Sequence, residues 1–262
     1  MKSIDRQHFL LTYANKYSFV SIPQSALELK VSVETIRRDI NILCDQKKLK
    51  KVHGGAVPIH AAIRKDPTYQ ERFFHNPRGR EAVAAAAAKL IQNGDVVTID
   101  SGATNKLLAQ HITGVEHVTF VVNSLHIATI LAEKLETGEI SGKLIMIGGT
   151  VESPERRTAD TYALESLERF RFDLAFLTAS AVSADGVANA TLNATVFIGK
   201  QMRHAATTVL VSDSEKLGNT STYRFAMPGD FDYIFVDDLH PFPQDLLDAL
   251  EGSNTKLTIV HA

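Results

Sequence analysis

Apolar positions in residues 1–57 recur every three or four residues, the spacing of helices with one buried face. Arg6 to Ala14 carries Phe9, Leu10 and Tyr13 at such a spacing and predicts a first helix. After the break at Asn15-Lys16-Tyr17-Ser18, Ser21 is placed to cap a second helix. That helix tolerates Pro23 in its first turn, runs to about Leu29 and turns Ala26, Leu27 and Leu29 inward. Ser32 caps a third helix from Val33 to about Cys44, where Ile36, Ile40 and Leu43 form one apolar stripe. Lys47 to Val57 predicts two short strands, with Leu49 and Val52 apolar and Gly54-Gly55 at the close. From His53 to Asn76 the pattern loosens, and Pro58, Pro67 and Pro77 mark a linker.

From Arg78 the period changes. Arg78 to Gln92 is alanine-rich and favours a helix. Short apolar runs then alternate with helical segments, at Val96–Asp100, Val118–Asn123, Leu144–Ile147, Asp173–Leu177, Thr208–Ser212, Tyr233–Val236 and Leu257–Val260. Near-continuous β-branched runs separated by helices predict a parallel sheet covered on both faces, an α/β fold. The chain is thus expected to divide into a tri-helical head with a hairpin (1–57), a linker (58–77) and a larger, mostly parallel α/β body (78–262).

Composition narrows the class. No apolar run reaches the length a membrane helix needs, and the segment from Met1 to Arg6 has no stretch suited to a secretory signal. The only cysteine, Cys44, has no partner in the chain, so a disulfide framework is excluded and Cys44 is expected to be a core residue. These features predict a cytoplasmic protein without membrane partners. Net charge is −2, but residues 1–57 hold ten Lys/Arg against five Asp/Glu while the rest hold 18 against 25. A basic head on an acidic body suits a polyanion-binding module joined to a different kind of domain.

In a helix-turn-helix, the second helix of the pair enters the major groove. Here it reads Ser32-Val33-Glu34-Thr35-Ile36-Arg37-Arg38-Asp39. With Ile36 and Ile40 buried, Glu34, Thr35, Arg37 and Arg38 are left for the outer surface. Arginine can bond guanine bidentately, and Ser32 suits a phosphate. Lys48, Lys50, Lys51 and His53 lie on the following hairpin, where a wing would track the backbone.

In the body, three elements fall where strands end and helices or turns begin. They are Asp100-Ser-Gly102-Ala-Thr104-Asn105, Val122-Asn123-Ser124 and Ile147-Gly148-Gly149-Thr150. Each is weak alone, but together they predict a shared phosphate pocket. Asp213-Ser-Glu-Lys216-Leu-Gly218 follows a further strand and could bring Lys216 beside a phosphate or sugar hydroxyl. The ten histidines show no ligand spacing, so neither a metal nor another cofactor is expected.

Val31-Ser-Val-Glu-Thr-Ile-Arg-Arg-Asp-Ile40 followed by Val52-His-Gly-Gly-Ala56 resembles the N-terminal signature of the DeoR family of bacterial regulators. The four body elements resemble that family's C-terminal sensor, whose fold is similar to ribose-5-phosphate isomerase and glucosamine-6-phosphate deaminase. The resemblance spans about residues 5–240. It implies a winged helix-turn-helix that binds a double-stranded operator, usually as a repressor, and a sensor for a phosphorylated sugar. It also implies an effector site lined by Asp100, Gly102, Thr104, Asn123, Ser124, Gly148, Gly149 and Lys216. Operator symmetry implies a homodimer or homotetramer.

The chain departs from the family pattern at Asp160, where glycine is usual, and at Thr178 and Ala181 in Phe176-Leu-Thr-Ala-Ser-Ala-Val182. Val187 to Lys200 also lacks the usual acidic residue. Thr178 and Ala181 are expected to narrow the pocket, and Asp160, if it faced the pocket, would repel a phosphate. Two other functions compete. One is a sugar-phosphate isomerase or deaminase with a DNA-binding head, using Asp100 and Asp213 with Lys216 as acid and base. The other is a regulator that has lost its ligand.

Overall fold

A computed structural model describes residues 3–17, 20–52, 55–58, 76–153 and 155–262. The chain divides into two compact units, Met1–Lys65 and Asp66–Ala262. Most of the segment read as a linker, and His53, lie outside the described residues.

The first unit contains α1 (Ser3–Tyr17), β1 (Val20–Ser21), α2 (Ile22–Glu28), α3 (Val33–Asp45), β2 (Leu49–Val52) and β3 (Gly55–Pro58). Leu10, Ile36, Ile40, Leu43 and Leu49 are buried together, so the stripe read in the third helix is its core face. Ser32 caps α3 by accepting the Thr35 amide at 3.1 Å. The wing is three-stranded, in the order β1-β3-β2, because β3 also pairs with β1. Ser21 closes β1 directly before α2, and Pro23 falls in the first turn of that helix. Leu27 does not face inward; it is 81% exposed, on the side of the short α2 away from the buried Ile22, Ser25 and Ala26.

One contact in this unit has no signal in the apolar pattern. Asp39, on the buried side of α3, accepts from Ser3 Oγ at 2.7 Å, Arg6 Nε at 2.7 Å and Gln7 Nε2 at 3.1 Å. Burial opposes its charge, yet these donors together hold its carboxyl below the ordinary value and fasten α1 to α3. Cys44 is half-buried beside the same core, and burial raises its thiol pKa.

The first described element of the second unit is α4 (Pro77–Ala88), and the unit is built on seven strands: β4 (Val96–Ile99), β5 (Val118–Val122), β6 (Gly142–Met146), β9 (Phe172–Leu177), β12 (Ala205–Val211), β14 (Tyr233–Asp237) and β15 (Lys256–Val260). Their order is β15-β14-β12-β9-β4-β5-β6, and every pairing is parallel. Each of the seven apolar runs is one of these strands. Helices α5 (Ala103–His111), α6 (Leu125–Glu136), α7 (Thr161–Leu167), α8 (Leu192–Arg203) and α9 (Gln244–Leu250) connect them. Two small elements go beyond the sequence reading: a hairpin of β7 (Val151–Glu152) and β8 (Arg157–Thr158), and an antiparallel sheet of β10 (Ala181–Ser183), β11 (Gly186–Asn189) and β13 (Tyr223–Ala226).

From β4 the chain builds outward through β5 and β6 on one side, then returns to add β9 and β12 on the other. The strand order therefore reverses between β4 and β9. In open α/β sheets the crevice beyond the strand ends at such a reversal is where ligands bind.

Candidate DNA-binding and effector sites

On the first unit, Glu34, Arg37 and Arg38 are exposed on α3, and Lys48, Lys50 and Lys51 are exposed on the wing. Arg37 and Glu34 approach to 3.5 Å across one turn, an exposed pair that costs little to separate. Thr35 is half-buried, and its hydroxyl meets that of Ser32 at 2.8 Å, so it belongs to the cap as well as to the helix surface. Exposed guanidinium groups on the first turns of a capped helix match what a recognition helix presents to a groove.

On the second unit, a cleft lies at the strand-order reversal. Its floor is the turn from β4 into α5, with Asp100, Gly102 and Thr104 among the lining residues, and Lys216 reaches it from the turn after β12. The α5 N-terminus has no side-chain cap, and its first residues line the cleft, where free helix amides favour an anion. Thr104 is almost wholly buried, and its Oγ1 has no hydrogen-bond partner among the described residues. Gly102 is required by space rather than by dihedral: a Cβ there would lie 2.8 Å from Thr178 Oγ1.

Arg80, which the motif reading missed, enters the same cleft from the first turns of α4. Its Nε donates to Asp213 Oδ2 at 2.9 Å, and Lys216 Nζ lies 3.7 Å from the same oxygen. Two cations thus share one buried carboxylate beside the α5 N-terminus. A second carboxylate ties this corner together. Asp237 accepts from Asn76 Nδ2 at 3.0 Å and from the Ser214 amide and hydroxyl, joining the start of α4 to the Lys216 turn. Burial raises the Asp237 pKa, but the donors from Ser214, Asn76 and Leu239 outweigh it and hold the carboxyl below its ordinary value.

Arg157 was also missed. It lies in β8, is 7% exposed, and lines the cleft from the β5 side. Glu152 accepts its Nε at 2.9 Å, while Nη1 reaches Ser101 Oγ and Nη2 reaches Thr191 Oγ1, each at 3.4 Å.

Four residues expected at the pocket are not among those lining the cleft. Asn123 donates to the Thr158 carbonyl at 2.8 Å, and Ser124 caps α6 and bridges to Arg157, so both hold β8 in place. Gly148 and Gly149 are exposed. Gly149 has φ +127°, and a Cβ on it would lie 2.4 Å from Asp160 Oδ1. Asp160 is also outside the cleft. It caps α7 and accepts the Thr150 amide at 2.7 Å and the Ala163 amide at 3.0 Å, bonds that lower its pKa. Its charge is turned to amides, so the expected clash with a phosphate does not arise.

Of the departures in Phe176–Val182, Ala181 is buried in β10 and is not part of the cleft lining. Thr178 does line it, donating to Asp100 Oδ2 at 2.9 Å, and it fills the space beside Gly102 as expected.

Residues 6–62 match the model of the DeoR-like helix-turn-helix domain, and residues 75–238 match that of the DeoR C-terminal sensor domain. Among curated relatives, the glycerol-3-phosphate regulon repressor of Haemophilus influenzae is 28% identical, with 99% of this chain and 98% of that protein covered. The transcriptional repressor GlcR of Bacillus subtilis is 27% identical, covering 95% of this chain and 93% of its own length. Among solved structures, ribose-5-phosphate isomerase A from Methanocaldococcus jannaschii superposes with a TM-score of 0.37 at 19% identity, over 54% of this chain and 55% of that one. The capped, arginine-bearing helix beside its wing, the parallel sheet with its cleft, and two family models that together span most of the sequence lead to one assignment: the chain belongs to the DeoR family of DNA-binding transcription regulators.

Proposed function

We propose that this protein is a repressor of a carbohydrate-metabolism operon, released by a small phosphorylated metabolite bound in the second unit. The observation that carries this reading is the convergence of the α5 N-terminus, Thr104, Arg80 and Lys216 on one cleft, in a chain whose other unit is a DeoR-like helix-turn-helix. The names of the two repressor relatives favour the same class. Arg37 and Arg38, with Glu34, Thr35 and the Ser32 cap, read the major groove, while Lys48, Lys50 and Lys51 contact phosphates. Asp100, Gly102, Thr104 and Lys216 hold the effector, joined by Arg80. Asn123 and Ser124 support the site through β8.

Binding has a route out of the cleft. An anionic effector competes with Asp213 for Arg80 and Lys216, and Arg80 belongs to α4, the first described element after the segment joining the two units. A ligand shifts the operator-binding equilibrium only by its differential affinity for two states, and the changed pairing of Arg80 supplies such a difference. Two operator half-sites call for a homodimer or homotetramer, and the compartment is the cytoplasm. Among the described residues no helix is long and apolar enough to cross a membrane.

A catalytic role is disfavoured by the chemistry of the cleft. Asp100 is engaged by the Thr178 hydroxyl, and the first turn of α8 carries no acid.

The test is fluorescence anisotropy with an operator selected from random duplexes, together with a thermal-shift screen of phosphorylated sugars. Arg37→Ala is expected to lose about 1–3 kcal/mol of specific operator affinity with effector affinity intact. Lys216→Ala is expected to weaken the effector-dependent shift without altering operator affinity in the absence of effector. Wild-type operator affinity in the first variant, or an unchanged effector midpoint in the second, would remove that residue from its role.

A further inference from the structure

The cleft has two chemically different halves. Arg80 and Lys216 stand on the β12 side of the α5 N-terminus, and Arg157 stands on the β5 side, beyond β4 in the sheet order. Adjacent strands are about 4.8 Å apart, so a phosphate seated between α5, Arg80 and Lys216 leaves Arg157 for another part of the ligand.

The Arg157 half is rich in donors whose acceptors are already used. Both oxygens of Glu152 are engaged, one by Arg157 Nε and the other by Asn193 Nδ2 at 3.1 Å. The hydroxyls of Ser101 and Thr191 each accept from Arg157, at 3.4 Å, and keep their own protons to donate. The α8 N-terminus opens here, with Thr191 and Ala194 in the lining, no side-chain cap and no acid in its first turn.

Asn189 gives a separate indication of a ligand. It is 7% exposed and lines the cleft, and its Oδ1 is fixed by the Ser180 amide at 3.1 Å. Its Nδ2 therefore points the other way and has no partner among the described residues. A buried donor left unpaired costs about 1–3 kcal/mol, which a ligand acceptor recovers. Glu155 adds a carboxylate to the cleft but is partly exposed, whereas Arg157 and Asn189 are more than nine-tenths buried.

We infer that the effector carries a carboxylate at the end away from its phosphate, read by Arg157, Asn189 and the α8 N-terminus; the ligand class is a phosphorylated sugar acid. A carboxylate only accepts hydrogen bonds, and it matches the planar fork of a guanidinium whose Nε is already anchored. A polyol hydroxyl accepts from the same donors without a charge of its own, so its hydrogen bonds to a guanidinium are the weaker ones. The inference rests on the sensor reading above and goes further by fixing the chemistry of the second end.

The test is isothermal titration of the full chain with matched acid and alcohol phosphates of equal carbon number. The pairs are phosphogluconate against glucitol phosphate, phosphoerythronate against erythritol phosphate, and phosphoglycerate against glycerol phosphate, each phosphorylated on a terminal carbon. At one chain length the acid is expected to bind about tenfold or more tightly than its alcohol, the gain of a charge-assisted fork. Arg157→Gln should erase that preference and leave the alcohol within about twofold of wild type. Lys216→Ala should weaken both members alike and keep the preference. Should Arg157→Gln disturb folding through β8, Arg157→Lys, which keeps the charge but loses the fork, replaces it.

Equal binding of acid and alcohol by the wild type would overturn the inference while leaving the sensor reading intact. So would an Arg157 variant that weakens both members equally. Failure of every phosphate in the panel to bind would overturn the sensor reading and this inference with it.

Discussion

Gly102 and Thr178 are neighbours only in space, and each restricts what the other can be. A methyl group at 102 would collide with the threonine hydroxyl and methyl, displacing the turn that presents the α5 amides. Gly102→Ala is expected to weaken phosphate binding about tenfold or more, and Thr178→Gly in the same chain should recover much of that affinity. Titration of the two single variants and the double variant measures the coupling. Titratable residues give a second prediction at this scale. The folded pKa values of Asp39 and Asp237 lie below the ordinary carboxylate value, so each contributes stability above about pH 4 that is lost as pH falls through its folded value. Thermal denaturation across pH should therefore show an acid limb, shallower in Asp237→Asn.

Residues were unevenly legible for a physical reason. Arg156 and Arg157 are adjacent and chemically identical, yet one is exposed and the other lines the cleft. Only the pairing of a two-residue strand with Ser124 and Glu152 decides between them. Asn123 carried the opposite ambiguity: an amide after a strand end suits a ligand as well as the Thr158 carbonyl that it holds.

At the scale of elements, the seven long strands were readable because burial on both faces demands unbroken apolar runs, and such runs are visible in a sequence. The strands that were missed are two to four residues long, as in Gly186-Val-Ala-Asn189, and carry no period. The wing's third strand has only two residues and exists because β3 offers it an edge. The Ser32 cap was legible because it is local chemistry. Ser32→Ala is expected to cost about 1 kcal/mol, read as a lower melting temperature of the first unit and weaker operator binding. The start of β6 gives a sharper case. Gly142 has φ +141°, and a Cβ there would fall on the backbone of Val118. Gly142→Ala should therefore destabilise the second unit more than the exposed Gly138→Ala, a comparison that denaturant titration makes directly.

At the scale of the whole molecule, charge separates the two tasks. The basic head meets a polyanion, and each phosphate it neutralises releases a counterion on binding. Replacing Lys48, Lys50 or Lys51 by Ala should lower the salt slope of operator affinity by about one for each phosphate no longer neutralised, across all sequences, whereas Arg37→Ala acts on specificity. Anisotropy at several ionic strengths separates these outcomes.

The strand order also sets a timetable for synthesis. Helix α4 is the first described element of the second unit, yet its N-cap Asn76 is held by Asp237, 161 residues further along the chain. On a ribosome the head has emerged in full long before that carboxylate exists. The Lys216 turn waits for the same carboxylate, which accepts the Ser214 amide and hydroxyl. Parallel sheets with such distant contacts close late. A growing chain thus completes its DNA-binding head before its metabolite cleft can close, and synthesis itself puts the two tasks in order.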